Sequence, residues 1–304
     1  MSIRLINTTT LRLEVFTSQD VPKYAILSHT WTADEEVSYQ EASRITSDPD
    51  YPAAARSGYR KILDTCRQAK SDGYPYAWVD TCCIDKTSSA ELSEAINSMF
   101  KWYTEAAVCY VYLADLSTSS TWRDLLKNCR WFSRGWCLQE LLAPDGDNLR
   151  FYDRSWELVG TKTELKLDIA RITGINDDVL AGIRLLRTIP VARRMSWAAK
   201  RNTTRVEDMA YCLLGIFDVN MPMLYGEGER SFMRLQEEII RWSNDLSIFC
   251  SSSVAADNYM RMLTSRERIK EILHERELNS TYMPYRNLFA RSPRDFAYCG
   301  DIEF

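Results

Sequence analysis

The sequence predicts an α/β fold, with a parallel sheet flanked by helices and a mostly helical C-terminal extension. Three observations carry this. Residues 25–27 (Ala-Ile-Leu), 77–79 (Ala-Trp-Val) and 108–113 (VCYVYL) are continuous apolar runs, the pattern of strands buried on both faces. Amphipathic stretches separate them, so strand and helix alternate. Beyond residue 157 the apolar spacing is mainly helical.

In chain order, residues 3–16 predict short strands around a polar turn. The first buried strand then stops at Ser28, His29 and Thr30, with Trp31 following. Open parallel sheets gather ligands at the carboxyl ends of their strands, so this stop is a candidate site; the alternative is a capped strand end. Residues 32–55 are polar and acidic and predict a loop. In residues 58–70, Ile62, Leu63, Cys66 and Ala69 follow helical spacing, and Gly73 and Pro75 end the run. The next strand ends at Asp80, making a right-handed strand–helix–strand crossover with Ser28, His29 and Asp80 at one sheet edge. Asp80 can equally serve as a loop cap. Ser88-x-x-Glu91 is a capping box before the stripe Leu92, Ile96, Met99, Phe100 and Tyr103. Residues 108–113 and 149–152 give the third and fourth strands, with a polar insertion at 115–127.

Residues 131–144 (WFSRGWCLQELLAP) organise the chain. Ser133 is the predicted N-cap of a helix and Pro144 its stop. Helical steps of about 100° put Leu138, Leu141 and Leu142 on one face, and Trp136 and Glu140 on the other. An aromatic beside a carboxylate, pointing away from the apolar anchor, is a candidate catalytic pair. A surface glutamate under a half-buried tryptophan has the same pattern.

The later part predicts helices. Thr161-x-x-Glu164 caps one that carries Leu165, Ile169 and Ile172 and ends at Gly174. Residues 195–200 and 207–217 are two more, and Phe232, Leu235, Ile239 and Ile240 mark another, with Glu237 and Arg241 spaced as an ion pair. Gly226-x-Gly228 lacks the strand and third glycine of a dinucleotide loop. A charged helix near residues 265–278 precedes a Ser292-Pro293-Arg294-Asp295-Phe296 string. The expected division is an α/β core at 1–157, a helical extension packed on it at 158–250, and a tail with a charged helix at 251–304.

Composition narrows the function. The 304 residues are 45% hydrophobic and 26% charged, an ordinary balance for a chain that fills a core. A net charge of −4 without a long basic run disfavours nucleic acid as main partner. No apolar run reaches the roughly 18 residues of a membrane span, and no signal peptide is expected. Nine cysteines without framework spacing read as reduced thiols of a cytoplasmic protein. Two histidines, His29 and His274, leave little room for a zinc site or a Ser-His-Asp triad, and no metal is expected. The adjacent Cys82 and Cys83 suggest a redox pair or nucleophile. With no nearby histidine in sequence to activate them, they are expected to be structural.

Trp136-Cys137-x-x-Glu140 resembles the WCxxE signature of TIR domains, whose glutamate is catalytic in the NAD-cleaving members. The longer Arg134-Gly135-Trp136-x-Leu138-Gln139-Glu140 resembles the fungal HET (heterokaryon incompatibility) domain. So do the string from Tyr24 through Ser28-His29-Thr30 to Trp31, and Trp78-Val79-Asp80-x-x-Cys83-Ile84-Asp85. The three occur in the family's order, and the likeness covers residues 24–152. Arg194-Met-Ser-Trp-Ala-Ala, Glu207-Asp208-x-Ala210-Tyr211 and Tyr225-Gly-Glu-Gly-Glu229 are similar to the extension of many HET proteins.

The resemblance implies a TIR-like (flavodoxin-like) sheet and an NAD glycohydrolase that kills or arrests a fungal cell in non-self recognition. NAD would be substrate and no cofactor is implied. Glu140 would be catalytic; Ser28, His29, Trp31, Asp80, Trp136 and Cys137 would bind substrate. Self-association is the implied activation, under an upstream receptor or regulatory module. Cleaving the nicotinamide–ribose bond needs no general acid, because the pyridinium leaves as a neutral base, whereas ordinary glycosides need a proton donor. One carboxylate can stabilise the oxocarbenium-like transition state. An aromatic ring, Trp31 or Trp136, can stack on the pyridinium. The alternative is a non-enzymatic signalling module of the same fold that acts by self-association.

Overall fold

The apolar runs form the middle of one sheet. A computed structural model describes residues 2–117, 122–250 and 289–302. It divides into two units, Met1–Ile183 and Arg184–Phe304. In the first unit the strands are β1 (Ser2–Asn7), β2 (Leu13–Thr17), β3 (Tyr24–His29), β4 (Tyr76–Trp78), β5 (Val108–Tyr112), β6 (Leu149–Tyr152) and β7 (Leu158–Thr161). Their spatial order is β2-β1-β4-β3-β5-β6-β7. β3 lies between β4 and β5, parallel to both, and all six of its residues are buried. β6 continues the parallel set beside β5. β1 and β2 on one side and β7 on the other are antiparallel additions. The sheet is therefore mixed, with a parallel centre of four strands.

Helices fill both faces. α2 (Ser57–Ser71) crosses from β3 to β4 and packs on both. The short α3 (Asp80–Cys83) follows β4 and starts at Asp80, and α4 (Ser89–Glu105) completes the crossover to β5. The short α5 (Trp122–Leu126) and α6 (Cys137–Leu142) lie between β5 and β6, and α6 packs against α4 and β3. The alternation of a strand sends Ser28 to the α6 face and His29 to the α2 face. Their hydrogen bonds follow that division: Ser28 reaches Glu140 of α6, and His29 reaches Lys61 of α2.

Several elements depart from expectation, two of them close to the site residues. The expected loop at 32–55 contains α1 (Tyr39–Ser47), whose N-cap Ser38 forms a full capping box with Glu41. Its one buried residue, Ile45, gives the apolar period nothing to repeat on. The expected helix from Ser133 is shorter. Residues Arg130–Ser133 form a 3-10 turn, Arg134 is extended at φ −83° and ψ 137°, and α6 begins only at Cys137. Ser133 donates its hydroxyl to the Arg130 carbonyl and caps nothing. α6 is also buried from Cys137 through Leu141, so it has no solvent face for Glu140.

β7 continues into α7 (Lys162–Thr173), which has the expected Thr161/Glu164 capping box and a left-handed Gly174 at its end. α8 (Asp177–Leu180) closes the unit. The second unit contains α9 (Val191–Ser196), α10 (Asp208–Tyr211), α11 (Leu214–Phe217) and α12 (Arg230–Trp242). The expected 207–217 helix is thus two short ones. Arg241 pairs with Glu238, three residues back, at 2.8 Å. Gly226 and Gly228, both at positive φ, donate their N–H groups to Glu207 Oε1 at 2.9 and 3.0 Å. The loop's amides thus serve an internal carboxylate. Pro293–Phe296 forms a 3-10 turn with a Ser292/Asp295 capping box. The expected charged helix at 265–278 lies outside the described residues.

Candidate active site

Ser28 and His29 end β3 and open two hydrogen-bonded networks, one on each face of the sheet. On the α6 face the Ser28 hydroxyl accepts from the Trp131 indole N–H at 2.7 Å and donates to Glu140 Oε2. Trp131 is fully buried and set edge-on to Phe132 and Phe151, at ring separations of 5.0 and 5.6 Å. The indole therefore fixes the serine rotor, and the serine proton can go only to the carboxylate. Glu140 is 7% exposed. Burial pushes its carboxyl up to about 7, and Asp80 adds to the rise; the hydrogen bonds from Ser28 and Cys137 and the charge of Arg134 work against it.

On the α2 face, Lys61 Nζ lies 3.0 Å from His29 Nδ1, 3.4 Å from the Thr30 carbonyl and in hydrogen-bond contact with Glu36. An ammonium can only donate, so Nδ1 accepts and Nε2 carries the proton that Asp80 Oδ1 accepts at 2.9 Å. Asp80 Oδ2 accepts from the Trp31 indole at 3.0 Å. Lys86 Nζ lies over the Trp31 ring at 3.7 Å and 4.0 Å from Asp80. Burial opposes the Asp80 charge, but Lys86, His29 and Arg134 outweigh it and hold the carboxyl well below the usual range. Two carboxyl groups that influence each other are thus pushed apart, one kept anionic and one poised near neutrality.

Of the expected site residues, Ser28 and Glu140 touch directly, and His29, Trp31 and Asp80 form a second cluster. Cys137 hydrogen-bonds Glu140. Trp136 is half-buried at the N-cap of α6, and among the described residues no hydrogen bond ties it to the others. Among the described residues, the buried side-chain polar atoms without a hydrogen-bond partner include Thr30 Oγ1, Thr81 Oγ1 and Gln139 Nε2. Each adjoins a site residue in sequence, and such atoms are costly unless something satisfies them.

Trp131, Arg134, Lys61 and Lys86 complete the networks but were not among the expected site residues. Trp131 and Arg134 stand inside the organising stretch and were available there. Lys61 had no signal, since its neighbours read as an ordinary amphipathic helix. Cys82 and Cys83 are buried and reduced. The Val79 N–H points to Cys83 Sγ at 3.4 Å. A hydrogen bond with Cys83, then burial, drives the Cys82 thiol well above its ordinary range, so it holds no thiolate for attack.

Among the described residues no helix is long and apolar enough to cross a membrane. Residues 24–121 match the family model described as heterokaryon incompatibility protein (HET), and residues 230–304 match a domain of unknown function (DUF8212). The chain is 48% identical over 231 residues, 73% of its length, to the vegetative incompatibility protein HET-E-1 of Podospora anserina. It spans 16% of the length of that relative. No solved structure matches it. The family match begins at the first residue of β3 and takes in Ser28, His29 and Asp80, and with the identity to HET-E-1 it shows that the chain carries a fungal HET (heterokaryon incompatibility) domain.

Proposed function

We propose that this chain is a TIR-like NAD glycohydrolase that acts as a cell-death effector in fungal non-self recognition. One observation carries the reading: a buried carboxyl, Glu140, is held by a serine at the carboxyl edge of the sheet and poised near neutral pH. A structural glutamate gains nothing from burial beside a second anion. The four parallel strands, numbered in chain order, stand as 2-1-3-4, which supports a flavodoxin-like sheet with its ligand edge at these carboxyl ends. The name of the Podospora relative supports the incompatibility role.

In this scheme the Glu140 anion stabilises positive charge developing on the ribose. Ser28, His29, Trp31, Asp80, Trp136 and Cys137 surround the substrate, and the orphaned Thr30, Thr81 and Gln139 atoms offer it hydrogen bonds. NAD is the substrate, with no cofactor. The protein acts in the cytoplasm, assembles with itself and answers to an upstream receptor or regulatory module. The test is nicotinamide release from NAD by the folded protein, clustered by a fusion partner. Absence of release under clustering removes the enzyme reading. The second reading, a non-enzymatic self-associating module, is favoured by one feature: Glu140 is only 7% exposed and already spent on Ser28.

A further inference from the structure

A cleft of about 770 Å³ opens on the α2 face of the first unit. Tyr112, the last residue of β5, lines it, and so do Arg56, Ser57, Arg60 and Asp64 at the start of α2. β5 is paired with β3, whose other neighbour is β4. Between β3 and β5 the strand order therefore reverses, and open α/β sheets bind ligands in the crevice outside such a switch point. The volume is that of a small-molecule site. Strand alternation puts Ser28, and with it the Ser28–Glu140 network, on the opposite face; on this face the cleft borders the His29–Asp80 cluster through Lys61, which lines it.

Its lining has the parts of a nucleotide site. Arg60 is the loosely held cation: its side chain is 79% exposed and stands 3.9 Å from Asp64, which has a closer partner in Arg67 at 2.5 Å. Arg56 is tied to Glu41 at 2.9 Å. The α2 N-terminus is already filled, because Glu35 accepts the Ser57 N–H at 2.8 Å. An incoming phosphate therefore meets Arg60 and not the helix end. Tyr112 lies stacked with Trp156, with ring centroids 5.1 Å apart and planes within 19°, a stack that a planar base can extend. Asp64 and the Ser57 hydroxyl can accept from ribose hydroxyls.

We propose that this cleft binds a phosphorylated nucleoside, with its base on Tyr112 and its phosphate on Arg60, independently of any reaction at Glu140. Isothermal titration of the whole chain with ADP tests this. ADP has no nicotinamide bond, so the outcome does not depend on NAD cleavage. Saturable one-to-one binding is expected, weakened about tenfold or more by Arg60→Glu. Ala55→Trp, at another lining residue, should fill the cleft and abolish binding. Glu140→Gln should bind ADP as wild type does. Thermal melting of each variant confirms its fold. If Ala55→Trp does not fold, the exposed Arg60→Glu decides alone. No binding at millimolar ADP, wild-type binding by a folded Arg60→Glu, or loss of binding in Glu140→Gln would each overturn the proposal.

Discussion

Glu140 combines two properties that seldom coexist on a helix of an ordinary core: it is buried, and it carries a titratable carboxyl with its proton balanced near pH 7. Raising a carboxyl from 4.5 to about 7 corresponds to roughly 3 kcal/mol of disfavoured charge. The folded state binds this proton more tightly than the unfolded chain. The stability Glu140 contributes is therefore full below about pH 4.5 and is lost as pH rises through about 7. Activity should run the other way. If the anion is the working form, nicotinamide release should rise with pH through an acid limb near 7. The Ser28 hydrogen bond favours the anion, so Ser28→Ala should move that limb to higher pH, which a pH–rate profile will read. A limb unmoved in folded Ser28→Ala would remove Ser28 from the mechanism. Glu140→Gln keeps an acceptor for the Ser28 hydroxyl but removes the charge, and turnover should fall roughly 10²–10³-fold. Glu140→Asp should also fail, because retreat by about 1 Å can cost on the order of 10²-fold. Cys82→Ala, by contrast, should retain turnover if it folds, since its thiol is driven away from ionisation. At this scale the sequence disclosed which residue types matter but not their burial. Glu140 was placed on a face opposite the leucines, and only tertiary packing covers that face.

The element that carries Glu140 is six residues long and lacks a side-chain N-cap, so its neighbours must hold it. Helices this short are not stable by themselves. Trp131 anchors the preceding 3-10 turn, and Lys162 closes the other end: its ammonium donates to the carbonyls of Leu141, at 3.1 Å, and Pro144. Burial pushes the Lys162 amine down to about 8 while it still serves these acceptors. Lys162→Met should leave both buried carbonyls unpaired and cost about 2 kcal/mol, measured by urea denaturation. Nicotinamide release should drop with it, since α6 would no longer be fixed. An unchanged unfolding midpoint would mean that α6 is held by packing alone. Long, strongly patterned elements such as α2 and α4 were legible in the sequence because their apolar residues repeat along one face. α1 was not, because one buried residue makes no period, although its Ser38-x-x-Glu41 box was there to be read. The cap signal at Ser133 suggests a longer α6 than forms, because Arg134 is extended and the helix begins only at Cys137.

Across the whole molecule the parallel centre was foreseeable and the edges were not. Continuous apolar runs announce strands buried on both faces, but nothing local in residues 2–7 says that they pair antiparallel with β4 some seventy residues away. The proposed function turns on assembly at this scale. The chain spans 16% of its Podospora relative, so most of that protein lies outside the match. In the isolated chain Glu140 is nearly closed off and bonded to Ser28, so under the proposed enzyme reading assembly has to open this arrangement. Two outcomes separate the enzyme from the scaffold. If self-association completes the site, nicotinamide release per mole of protein should rise steeply with concentration, in step with oligomer formation followed by sedimentation velocity. Fusion to a clustering partner should reproduce that rise at low concentration, and Glu140→Gln should abolish it while sedimenting as wild type. Toxicity in a fungal cell should then disappear with the same substitution. A scaffold predicts the reverse pattern: oligomers form, no nicotinamide appears at any concentration, and the Glu140→Gln protein kills as well as wild type.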